Sequence, residues 1–127
     1  PYTVEFNTEN FDRGGDFESD TFTAPVAGIY QLGTAVRTAQ LDASATYYNL
    51  RIITTLKTYS KLYDMAVIGV GDGHSSGYHT LEMNTLVEMD AGDTAYVNID
   101  RSGGATQMDV IGDSSTPHTR FYGYLVA

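Results

Sequence analysis

A chain of 127 residues that is 42% hydrophobic carries enough apolar side chains for one folded domain over residues 1–127, and too many for disorder. Its net charge of −9 repels phosphate backbones and anionic membrane surfaces, and no apolar run is long enough for membrane insertion. Cysteine is absent, which removes disulfides and thiolate metal sites.

The chain opens on Pro1 with no signal-like segment, so a longer or processed parent is expected. Thr21 to Leu32 reads as a short strand, a turn pinned by Pro25 and Gly28, and a half-buried strand. After the turn, Tyr30, Leu32 and Thr34 share one face, and Ile29, Gln31 and Gly33 the other. Arg37 to Thr46 is expected as the longest loop, with room for one helical turn. In the next strand Tyr48, Leu50, Ile52, Thr54 and Leu56 alternate with Tyr47, Asn49, Arg51, Ile53 and Thr55. Leu62 to Val70 is uniformly apolar and predicts a strand buried on both faces. Leu81, Met83, Thr85, Val87 and Met89 line a further strand. Gly92-Asp93 then turns the chain into one whose inward residues are Ala95, Val97 and Ile99. Ser102-Gly103-Gly104 predicts a hairpin turn, Gln107 to Ile111 a short strand, and Asp113 to Pro117 a loop. Helical periodicity is nearly absent, so the class is all-β, a sandwich or barrel.

Four segments resemble one family. Phe22-Thr23-Ala24-Pro25-Val26-Ala27-Gly28-Ile29-Tyr30 is similar to F-x-A-P-x-x-G-x-Y, the signature of the C1q-like domain in the C1q and tumour necrosis factor superfamily. Val4-Glu5-Phe6-Asn7 resembles its opening strand, and Val87 to Val97 its apolar, Gly-Asp, apolar segment. Phe121-Tyr122-Gly123-Tyr124-Leu125 resembles its closing F-x-G-x-L strand. The middle of the chain, Arg37 to Tyr78, departs from the family pattern. The resemblance implies a ten-stranded antiparallel jelly-roll sandwich that assembles as a homotrimer. The last strand makes a physical case of its own. Phe121, Gly123 and Leu125 point one way and Tyr122, Tyr124 and Val126 the other, and both faces are apolar. A strand of this kind fits a core on one side and a neighbouring subunit on the other. Tyr96 and Tyr47 are candidates for the same interface.

Chemistry is sparse. Gly73-His74-Ser75-Ser76-Gly77 matches G-x-S-x-G formally, but it lies between strands with no following helix and reads as a loop. His74, His79 and His118 lack metal-ligand spacing. The first loop gathers Asp12, Asp16, Glu18 and Asp20, without the EF-hand pattern. The resemblance implies calcium near the apex in some members, which makes these four the candidate ligands. Asp64, Asp72, Asp100, Asp109 and Asp113 are other carboxylates that a fold could bring together. No glycosidase pair, phosphate loop or basic aromatic stripe is evident, so no cofactor other than calcium is implied and no enzyme activity is expected. Tyr59, Tyr63 and Tyr78 fall in or beside expected loops, where tyrosines suit recognition of a protein or glycan.

Together these features predict a non-catalytic, trimeric binding head on a fibrous or collagen-like stalk, secreted or extracellular. The alternatives are a virion structural protein at the virion surface, such as a fibre tip or capsid decoration protein, and a carbohydrate-binding accessory domain of a secreted enzyme.

Overall fold

The turn at Pro25 is tied shut by the tyrosine that follows it. The Tyr30 hydroxyl donates to the Val26 carbonyl at 2.6 Å and accepts from the Val26 amide at 3.3 Å. The ring itself is buried, edge-on to Phe22 at 5.5 Å. A second turn clasps the first: the Ala24 amide donates to the Asp93 carbonyl, and the Gly92 amide donates to the Ala24 carbonyl. Gly92 has φ 89, a conformation that favours glycine, and the Asp93 carboxylate accepts from the Asp90 amide at 2.9 Å. Two segments far apart in sequence thus hold one another through backbone groups.

A computed structural model of the chain describes residues 2–3, 17–18, 20–39, 45–64, 78–103, 109–111 and 119–127. Among them the strands are β1 (Tyr2–Thr3), β2 (Phe17–Glu18), β3 (Thr21–Thr23), β4 (Gly28–Ala39) and β5 (Tyr47–Thr54). They continue with β6 (Thr58–Asp64), β7 (Tyr78–Met89), β8 (Thr94–Ser102), β9 (Asp109–Ile111) and β10 (Arg120–Leu125), with no helix among the described residues. The larger sheet runs β2-β3-β8-β5-β6, with β1 beside β3 on the edge of β8. The smaller runs β10-β4-β7, with β9 and β10 end to end along β4. Every pairing between these strands is antiparallel.

The core lies between the two sheets. Tyr30, Leu32 and Val36 of β4 and Leu81, Val87 and Met89 of β7 meet Phe22 of β3, Tyr48, Leu50 and Ile52 of β5, and Ala95, Val97 and Ile99 of β8. The alternations expected in β4, β5, β7 and β8 hold over these residues. On the core side, Gly123 lets β10 approach closely: a Cβ there would lie 2.6 Å from Leu32 Cδ2 and 3.4 Å from the Phe22 ring.

Several expectations are corrected. The loop expected from Arg37 begins later, because β4 runs on to Ala39 against β7 and β9. Leu56 does not join its face of β5; it is 54% exposed in a four-residue turn closed by Thr54, whose hydroxyl bonds Lys57. The strand placed at Leu62 to Val70 is instead Thr58 to Asp64. Among the described strands it is a sheet edge rather than a doubly buried strand, and Leu62 is exposed; residues 65–70 lie outside the described ones. Gly103 does turn, with φ 75; residues 104–108 lie outside the described ones, and β9, the next described strand, pairs with β4 in the other sheet. Leu125, expected inside, is exposed because it lies past the end of the core, with its Cδ1 over Gly28. The segment Val4 to Asn7 lies outside the described residues.

Candidate functional site

The smaller sheet turns an apolar face outward. Cross-strand pairing aligns Tyr124 with Gln31 and Leu86, and Tyr122 with Gly33 and Asn84. The chain continues the alternation past β10, where the Val126 amide donates to the Ile29 carbonyl at 2.7 Å. Tyr124 and Leu86 are each 57% exposed and Val126 is 52% exposed, with Ile29 and Tyr122 beside them. Cross-strand neighbours share a sheet face, so these five side chains stand on one face, with Gln31 between Tyr124 and Leu86 and Glu88 opposite Ile29. Gly33 organises it. A Cβ at that position would lie 2.2 Å from Tyr122 Cζ and Oη, so the ring lies over the bare backbone of the central strand. Sequence reading placed Tyr122, Tyr124 and Val126 on this face. It missed Leu86 and gave Gly33 no role, although a glycine inside a strand signals close approach.

Tyr96 and Tyr47, expected in the same interface, lie elsewhere. They are on the outer face of the larger sheet, with Asn49, Arg51, Asn98 and Asp100. That face is organised by polar groups. The Arg51 side chain donates from Nε to Asn98 Oδ1 at 2.9 Å and again from Nη2. Asn98 is 5% exposed, so this bond satisfies a buried amide oxygen. Asn49 Oδ1 is buried nearby with no hydrogen-bond partner among the described residues.

The tyrosines expected in loops belong to strands. Tyr59 and Tyr63 are in β6, pack against the core, and are only partly exposed; Tyr78 opens β7. Tyr63 joins the two sheets. Its hydroxyl donates to the Glu82 carbonyl at 2.7 Å and accepts from the Glu82 amide at 2.8 Å. It therefore bonds backbone groups of β7, a sheet edge among the described strands, that β4 does not pair. Lys61 Nζ sits 5.3 Å from the Tyr63 ring centre, and His79 meets the same ring edge-on at 6.0 Å.

Of the acidic loop, Asp12 and Asp16 lie outside the described residues, and Glu18 is in β2. Asp20 occupies a left-handed turn between β2 and β3, with φ 65. No cluster of three His, Asp or Glu side chains among the described residues could hold a metal. The G-x-S-x-G segment, His74, His118, Asp72 and Asp113 fall outside the described residues. A groove of about 500 Å³ crosses the smaller sheet from β10 over β4 and β7 to β6.

No protein-family model and no curated protein matches this sequence. Among solved structures, the globular domain of zebrafish complement 1qA protein superimposes with a TM-score of 0.60 at 20% identity. The match covers 99% of this chain and 85% of that one. The chain therefore has the fold of a C1q-like globular domain, an all-β sandwich of two antiparallel sheets.

Proposed function

We propose that this chain is a non-catalytic recognition head that works as a homotrimer outside the cell, carried on a stalk and presenting its loops and strand edges to a partner. The apolar outer face of the smaller sheet carries the reading. A sheet face in permanent contact with water is ordinarily polar, whereas here Ile29, Leu86, Tyr122, Tyr124 and Val126 are exposed on one face, interrupted by Gln31. Burying each large side chain contributes roughly 1.5–3 kcal/mol. Several per subunit can offset an association cost on the order of 4–15 kcal/mol. Turning three copies inward about one axis covers the patch in every copy. The likeness to a complement globular domain supports the same reading, and three joined heads would raise avidity for a weakly bound partner.

Sedimentation equilibrium at micromolar concentration tests the assembly. The expected mass is three times that of the 13.8 kDa chain. A single-chain mass with Tyr122 and Tyr124 freely accessible to a solvent probe would overturn the proposal.

A further inference from the structure

Two amides, Gln31 and Asn84, lie within the face whose apolar residues drive assembly. Pairing places Tyr124, Gln31 and Leu86 in one row and Tyr122, Gly33 and Asn84 in the next. Across these rows Gln31 Nε2 donates to Asn84 Oδ1 at 3.2 Å, joining the amides diagonally. The Tyr122 hydroxyl comes to the same place, because a Cβ at Gly33 would lie 2.2 Å from Tyr122 Oη. One bond uses only part of what two amides offer. The Gln31 carbonyl oxygen and the Asn84 amino group have no hydrogen-bond partner among the described residues. The same holds for the hydroxyl of Tyr124, a side chain 57% exposed.

Water satisfies these groups in a single chain. Once copies close on the face, each group must find a protein partner, and an amide buried unpaired is costly. The surrounding Ile29, Leu86 and Val126 attract without direction, so many registers would bury them about equally well. The amides are directional and accept few. A hydroxyl both donates and accepts, so one can serve the Gln31 oxygen while receiving from the Asn84 amino group. The Tyr124 hydroxyl suits this role: it ends an exposed ring and carries no charge to desolvate. Glu82 and Glu88 would bring a carboxylate into the contact at far greater cost. Tyr124 lies on β10 and the amides on β4 and β7, two different parts of one sheet. A contact between unlike surfaces runs head to tail and can close into a ring, as three copies about an axis require.

We infer that the Gln31–Asn84 pair receives the Tyr124 hydroxyl of a neighbouring copy, and that this bond sets the register and the number of copies in the assembly. The inference rests on the trimeric reading and adds to it the groups that choose one packing among several. A polar group inside an apolar contact acts in this way in coiled coils, where it fixes register and copy number at some loss of affinity.

Sedimentation velocity across a dilution series tests it, on the wild type and three variants. Tyr124→Phe keeps the ring and leaves the amides unanswered, so the dissociation constant should rise roughly fivefold. Gln31→Leu combined with Asn84→Leu removes the groups that choose. That double variant should associate at least as tightly, but sediment as a mixture of stoichiometries. Adding Tyr124→Phe to it should leave the degree of association within about twofold, because the hydroxyl has lost its partners. Melting curves check that each variant folds. A Tyr124→Phe trimer as tight as the wild type, or a uniform trimer or folded monomer from the double variant, would overturn the inference and leave the trimeric reading standing. A wild-type monomer would overturn both.

Discussion

The two outward faces of the sandwich are built on opposite rules. On the larger sheet, Arg51 and Asn98 bond across strands, with Asn49 and Asp100 alongside. On the smaller sheet, the outward rows end in Tyr122, Tyr124, Leu86 and Val126, side chains with few polar groups to offer water. The strands beneath are alike in kind, antiparallel and alternating, and both bury their inner residues in the same core. Backbone pairing therefore does not decide what a sheet face is for. The side chains that the pleat sends outward do.

Changing one face at a time should break this contrast. The largest effect is expected from Tyr124→Asp, which places a charge in the apolar patch. The dissociation constant of the assembly should rise by at least about tenfold, equivalent to roughly 1.4 kcal/mol, and melting should become lower with it. Tyr96→Asp on the other face should leave the sedimented mass unchanged, and a monomer there would erase the distinction. Next comes Arg51→Met, which keeps the aliphatic stem and removes both donors to the buried Asn98 oxygen. Stability should fall by about 1–3 kcal/mol in denaturant unfolding, with assembly intact.

Smaller effects sharpen the comparison. Gly33→Ala should push the Tyr122 ring off the central strand. Because that ring is partly exposed and can swing away, the loss of stability should be near 1 kcal/mol, the low end of overpacking. The assembly should nevertheless loosen, measured by mass against dilution. Tyr63→Phe removes the hydroxyl that bonds both backbone groups of Glu82. Water replaces part of that bond, so the cost should be about 0.5–1 kcal/mol. Faster hydrogen exchange at the Glu82 amide should mark it, and unchanged exchange there would remove the latch.

Period-two alternation made the main strands legible, because a residue's face follows from its parity. It grouped Leu32, Leu50, Ile52 and Val87 onto faces that the fold buries, and turned Val97 inward. It failed where a strand meets the edge of the sheet. An apolar run such as Leu62 onward looks doubly buried by composition, but the edge position of β6 leaves Leu62 in solvent. Parity also predicted the outward tyrosines of β10 without telling which sheet Tyr96 and Tyr47 would join. The role of Tyr63 was illegible, since its partner Glu82 is brought near only by the stacking of two sheets.

By itself, then, the order of residues determined the class of fold, the turns at Pro25 and Gly92, and the inward half of each long strand. These follow from local stereochemistry and from alternation, which act within a few residues of chain. Tertiary structure alone decided which strands became edges, which outward rows lay side by side, and that Tyr122 would rest over Gly33. Those outcomes depend on pairing between residues tens of positions apart, and no local rule sets that register.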